Sequence, residues 1–219
     1  MIHVSLDAAT VRAVQFSAGS SSASTSSFDD RRRIFVIALS FTGAAALLPE
    51  VVGAVDQGFV AIEGSIWSEL RARLLDAPSF AERAAVAEWF LEERTSAGTT
   101  GQSPFFRAAD AIASDRWRGS VADLARAFGC EERTLRNRFR QDLGWAPKGL
   151  LRVARFNRAL RTLHPGSWAG APDTDSRIEF ADEAHFHREF VAHAGISPRA
   201  FVEAKRRSGE PMLHSVVLD

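Results

Sequence analysis

The chain has 219 residues, an apolar fraction of 46% and a formal net charge of zero. That is enough for one sizeable domain or two small ones, and too apolar for wholesale disorder. With one cysteine, Cys130, a disulfide framework and a cysteine-based zinc site are both excluded. A reducing compartment, the cytoplasm, is the expected location.

Ser17 to Ser27 is almost entirely Ser, Ala, Gly and Thr, which buries little and reads as a flexible loop. It separates a first strand near Val11–Phe16 from a second at Ile34–Ser40. Arg31, Arg32 and Arg33 precede Ile34–Leu39, and apolar residues continue intermittently to Val55, resembling a basic flank and a membrane anchor. Ser40, Thr42, Gly43, Pro49 and Glu50 interrupt this run, leaving it short of the roughly 20 apolar residues that a span needs. A buried strand and a short helix at Gly43–Leu48 are expected instead. Gly58–Ile62 adds a short strand, giving three, too few to cover both faces of a closed barrel.

Helical spacing then takes over. Ser65 is the expected N-cap of a helix with Ile66, Leu70, Leu74 and Leu75 on one face. Pro78 and Ser79 open the next, in which Ala81, Ala85, Val86, Trp89 and Phe90 repeat. The five tryptophans are expected in cores and helix contacts. Residues 95–103 read as a linker. The expected organisation is a small α+β region over 1–94, an all-α domain over 104–207 and a flexible tail over 208–219.

Charge divides along the same line. Residues 1–103 hold 8 basic and 12 acidic side chains, whereas 107–161 hold 13 basic and 6 acidic. A basic segment inside a neutral chain is the electrostatic footprint of a phosphate backbone. Within it, Ser120 and Asp123 have capping-box spacing before Val121, Leu124, Ala125 and Phe128. Gly129 ends that helix and supplies the permissive backbone of a tight turn, with Cys130 filling space beside it. The next helix, about Glu132 to Leu143, has the narrow apolar seam Leu135, Phe139 and Leu143. Its other faces carry Arg133, Arg136, Asn137, Arg138 and Arg140, suited to a major groove where Arg pairs with guanine and Asn with adenine. A solvated basic helix is the alternative that charge alone leaves open. Gly144 stops this helix, and Pro147 starts a long one with Leu150, Leu151, Val153, Ala154, Phe156, Ala159, Leu160 and Leu163 on one broad face. Arg152, Arg155, Arg158 and Arg161 line its other side.

These residues resemble the arabinose-operon-regulator family, AraC/XylS, over VADLARAFGCEERTLRNRFRQDLGWAPKGLLRVARFNRAL (121–160) and FADEAHFHREFVAHAGISPRAF (180–201). The second stretch is the more diagnostic, with Phe180, Asp182, His185, Phe186, Arg188, Phe190, Gly195, Ser197, Pro198 and Phe201 at the family's spacing. Weaker similarity at 37–49 and 79–94 resembles the end of a cupin-like region that precedes the DNA-binding half in one branch. Too little sequence precedes Ile34 for a complete sensing domain, so a shortened one is expected.

The resemblance implies a mainly α fold: an α+β remnant followed by an all-α domain with two helix-turn-helix units joined by a long helix. It implies a sequence-specific regulator, activator or repressor, that places its recognition helices in successive major grooves. By position, Arg133, Arg136 and Asn137 would meet base edges, with Arg140 and Lys148 on phosphates. In the second unit, Glu183, Ala184, His187 and Arg188 would face the groove. Double-stranded DNA is the expected partner, with RNA polymerase or a second copy of the chain as candidate protein partners. Neither a small-molecule effector, a membrane nor a cofactor is expected. His185 and His187 stand two apart, without metallohydrolase spacing, and no phosphate loop or Gly-flanked serine nucleophile appears; no metal site and no enzyme activity are expected.

Two departures from the family pattern stand out. Glu131 occupies a position where a serine N-cap is usual, and Pro172 falls in WAGAPDTDSRIEF (168–180), the supporting helix of the second unit. An impaired second unit would make the chain an interaction module that pairs with a full-length regulator, and this is the alternative function.

Overall fold

The computed structural model describes residues 2–5, 14–16, 34–50, 52–53, 60–95, 103–163, 180 and 182–208. The Ser17–Ser27 loop, the interior of the 95–103 linker, stretch 168–179 with Pro172, and the tail beyond Ser208 lie outside the described residues. Among those described, the fold is mainly α, with a small antiparallel sheet at the N-terminal side.

The sheet holds β1 (Ile2–Ser5), β2 (Val14–Phe16), β3 (Ile34–Ile37) and β4 (Val60–Ala61) in the order β3-β1-β2-β4. Val4 pairs with Val14 on one side and Phe35 on the other, so β1 is an inner strand. Sequence reading missed it: two apolar residues in four give little local signal, and one of its two partners, β3, is remote in sequence. In β3, Phe35 and Ile37 turn inward and Val36 outward, the alternation of a sheet covered on one face. The apolar run after the three arginines therefore resolves into β3 and α1 (Phe41–Leu47). No helix of the described residues is long and apolar enough to cross a membrane.

Next come α2 (Ser65–Asp76) and α3 (Phe80–Thr95). The N-cap of α2 is Gly64, at φ 127°, with no side-chain cap; Ser65, the expected cap, is the first helical residue. The buried face of α3 is also narrower than its periodicity suggested. Ala87 and Phe90 are buried, whereas Phe80 is 75% and Trp89 43% exposed. Phe90 packs on Trp67 of α2 at 5.4 Å between ring centroids. Trp89 lies outside that contact and takes the Arg73 guanidinium over its ring at 4.3 Å.

Five helices of the C-terminal half follow the sequence pattern closely, after α4 (Pro104–Ala113). They are α5 (Val121–Ala127), α6 (Glu132–Leu143), α7 (Pro147–Thr162), α8 (Glu183–Ala194) and α9 (Pro198–Ser208). Two buried clusters organise them. The first runs from Val14, Phe35 and Ile37 through Leu48, Trp67 and Leu70, then Phe106 and Ile112, to Leu135, Phe139, Leu150 and Val153. The second joins Phe156, Ala159 and Leu160 to Phe180, Phe186, Phe190 and Phe201. One helix, α7, is shared by both.

The N-terminal region is fastened to α4 and α6 by polar contacts as well as by the core. Asp110 of α4 accepts from the amides of Phe41 (2.5 Å) and Thr42 (3.1 Å) and from the Thr42 hydroxyl (2.5 Å), satisfying donors that the start of α1 would otherwise leave orphaned. Ser103, the N-cap of α4, donates to Asp142 near the end of α6 at 2.5 Å. Gly144, left-handed at φ 70°, ends α6 directly beneath Gly53; a Cβ there would stand 2.2 Å from the Gly53 carbonyl oxygen.

Two glycines of similar backbone conformation therefore differ in surroundings, since a Cβ on Gly129 (φ 60°) would meet nothing within 4 Å. Gly129→Ala is expected to cost only the left-handed strain, about 1–2 kcal/mol. Gly144→Ala adds a backbone clash and should cost clearly more in urea unfolding; equal losses would show that the Gly53 contact does not constrain the fold.

Candidate nucleic-acid interface

The first helix-turn-helix unit is built from local interactions that its sequence encodes. Ser120 Oγ accepts from the Asp123 amide at 3.1 Å, while Asp123 Oδ2 accepts from the Ser120 amide at 2.9 Å. The Ser120 hydroxyl, donating to Asp123 Oδ2 at 2.7 Å, and then the Ser120 amide and Arg126, hold the Asp123 carboxyl below the usual carboxylate range. The box starts α5, and Gly129 lets the chain turn towards α6. Phe105 of α4 packs between Phe128 (4.9 Å) and Phe139 (5.5 Å), pinning the turn from below. Cys130 is half-buried in that turn.

With Leu135, Phe139 and Leu143 fully buried, every remaining face of α6 is decided. Arg133, Arg136, Asn137 and Arg140 are all exposed, and their spacing of three, one and three places them on one side of the helix. Arg138 is exposed too, and Lys148 is exposed in the first turn of α7. Glu131 takes the N-cap position in extended conformation without a side-chain cap, as its identity implied. Arg136 Nη2 donates to Glu132 Oε2 at 2.7 Å across one helical turn.

The described part of the second unit repeats the first at an offset of 51. The outer helices α6 and α8 each span 12 residues from a leading glutamate, Glu132 or Glu183. Each ends on a left-handed glycine, Gly144 or Gly195, three residues before the proline that opens the next helix. Phe186 and Phe190 replace Leu135 and Phe139 beneath it. Asp182 caps α8 by accepting from the His185 amide at 2.5 Å, the cap that Glu131 does not supply to α6. Glu183, Ala184, His187 and Arg188 are exposed on one side of the helix. The two outward faces differ in charge: Arg136, Asn137 and Arg140 correspond to His187, Arg188 and Val191.

Sequence reasoning missed what ties the units together. The arginines of α7, read as a solvent-facing row, include two that act internally. Arg152 makes a two-pronged bond with Glu189 of α8, Nε to Oε2 at 2.9 Å and Nη2 to Oε1 at 2.8 Å. Arg158, largely buried, pairs with Asp115 at 2.9 Å, and Arg118 joins the same carboxylate at 2.6 Å. Arg155 lies 5.8 Å from the centre of the Phe180 ring. The two pairs made by α7 have no local signature, because Arg152 and Glu189 are 37 residues apart and Arg158 and Asp115 are 43 apart.

Comparison with known proteins agrees with this geometry. A family model described as a helix-turn-helix domain matches residues 124–204, a stretch that contains α6, α8 and α7 between them. No curated protein and no solved structure matches the chain.

The Arg152 hydrogen bonds hold the Glu189 carboxyl below its usual range, and Glu189 raises the Arg152 guanidinium in return. The stabilisation is therefore present above the ordinary carboxylate pKa and fades as pH falls through the lowered folded-state value. Glu189→Gln should cost about 1 kcal/mol at neutral pH, discounted because Arg152 is 41% exposed. Urea unfolding across pH should show this difference shrinking in acid; a constant difference would mean that packing, not charge, is lost.

Proposed function

We propose that this chain is a sequence-specific DNA-binding transcription regulator of the AraC type, with α6 and α8 entering successive major grooves about 34 Å apart. The observation that carries the reading is the outward face of α6. Three buried side chains seat the helix, and an adjoining outward face presents Arg133, Arg136, Asn137 and Arg140 to solvent. Guanidinium and carboxamide groups on one exposed helix face match the paired donors and acceptors of guanine and adenine. The helix-turn-helix match over residues 124–204 supports the same conclusion.

On this reading Arg133, Arg136 and Asn137 read base edges, whereas Arg140 and Lys148 hold phosphates and fix register. In the second unit Glu183, Ala184, His187 and Arg188 face the groove. With the more basic face on α6, the first unit supplies most of the electrostatic attraction and the second refines position. Residues 104–207 form the DNA-binding domain, and the region before them buttresses it through Asp110 and Gly53. RNA polymerase and a second copy of the chain remain the candidate protein partners, and the cytoplasm the proposed location. The reading calls for no cofactor, metal or chemical step. The pairing-module alternative gains no support from α8, which is capped, seated on phenylalanines and closed by Gly195.

Binding to duplex DNA should weaken steeply with salt, with a log–log slope near −0.9 per phosphate neutralised. Lys148→Ala should weaken every sequence alike and reduce that slope by about one. Arg136→Ala should in addition relax base preference, by about 1–3 kcal/mol at one position. An equal loss on all sequences for Arg136→Ala would remove Arg136 from base reading.

A further inference from the structure

Glu132 is the first residue of α6, where a recognition helix comes nearest to base edges. A carboxylate there opposes DNA, because it stands among phosphates and cancels part of the arginine charge beside it. Its neighbour Glu131 already puts negative charge at the helix start, so the favourable effect on the helix dipole does not require a second acid. What distinguishes Glu132 is its bond: Oε2 accepts from Arg136 Nη2 at 2.7 Å. The side chains are 44% and 52% exposed, so as a surface pair they add only about 0.3–0.5 kcal/mol to stability.

The geometry of the guanidinium gives the pair a second consequence. Arginine has five N–H donors in a rigid planar fork. The carboxylate takes one proton of Nη2, leaving the Nε proton, the second Nη2 proton and both Nη1 protons for other acceptors. Two parallel donors at the end of the fork are the arrangement that meets guanine O6 and N7. An untethered arginine of this length can instead swing to a phosphate, which carries no sequence information.

We propose that Glu132 is a specificity-determining positioning residue: it holds the Arg136 fork in the orientation that reads guanine, at the expense of sequence-independent affinity. The proposal rests on α6 being a base-reading helix. It adds a residue absent from the sequence-derived contact set, and it gives the acidic start of a basic helix a function. By the offset of 51, Glu183 and His187 hold the same relative positions in α8.

Selection from a pool of duplex oligonucleotides with a randomised centre tests this, using the full chain and its Glu132→Ala, Glu132→Gln, Glu131→Ala and Arg136→Ala variants. The wild type should select a motif with a guanine that Arg136→Ala no longer selects. Glu132→Ala should lower preference for that same guanine about tenfold, while raising affinity for DNA of unrelated sequence. Glu132→Gln keeps an oxygen acceptor for Arg136 and should retain the preference, with the same rise in non-specific affinity. Glu131→Ala, which alters charge without touching Arg136, should raise non-specific affinity and leave the motif unchanged. An undiminished guanine preference in Glu132→Ala overturns the proposal and leaves α6 as the reading helix. Failure of the wild type to select any motif overturns the DNA reading itself.

Discussion

Leu135, Phe139 and Leu143 anchor α6 from beneath, and the burial of these three side chains decides which way every other residue of the helix faces. Their spacing of four places them in one stripe, and α4 and α5 accept that stripe through Phe105, Phe106 and Leu124. Each buried large side chain contributes about 1.5–3 kcal/mol, whereas turning α6 by one residue would bury an arginine instead. The outward arginines are thus a consequence of the core, and no attraction among them is needed. Seating by a narrow stripe leaves the rest of the helix rigid and exposed together, as the proposed groove-reading role requires.

The same logic extends along α7. Leu150, Val153 and Ala154 belong to the first cluster, and Phe156, Ala159 and Leu160 to the second. In the second, Phe156, Phe180, Phe186, Phe190 and Phe201 meet at tilted or edge-on angles with centroids 5.1–5.7 Å apart, a packing worth about 0.5–1.5 kcal/mol per pair beyond area burial. The Arg152–Glu189 fork adds direction to this non-directional contact, because two parallel hydrogen bonds fix the angle of α8 against α7. On the proposed reading, α6 and α8 can address successive grooves only if their relation is fixed, and α7 with its ion pairs supports that relation.

Much of the C-terminal half was legible because its signals are local. Ser120 and Asp123 gave the start of α5, Gly144 the end of α6 and Pro147 the beginning of α7, each through chemistry confined to a few residues. The N-terminal region was less legible for the complementary reason. The inner place of Ile2–Ser5 depends on pairing with β3, far along the sequence, and the exposure of Trp89 depends on how little of α3 is covered. Asp110 carries no local sign that the start of α1 sits on it, since Phe41 is 69 residues away. On α6 the exposed residues follow by elimination once the apolar seam has claimed its positions, whereas Lys148, Glu183, Ala184, His187 and Arg188 came from the family resemblance alone; the partners of Arg152 and Arg158 follow from neither, because opposite charges tens of residues apart leave no periodic trace.

Protection of guanine N7 against dimethyl sulfate, measured on the tightest-binding duplex fragment with the full chain bound, tests the central claim most directly. That atom lies in the major groove and is an acceptor for arginine. Seating of α6 predicts one or more protected guanines, with protection at a single position lost in Arg136→Ala. Unchanged N7 reactivity throughout a saturated complex would contradict the major-groove role of α6.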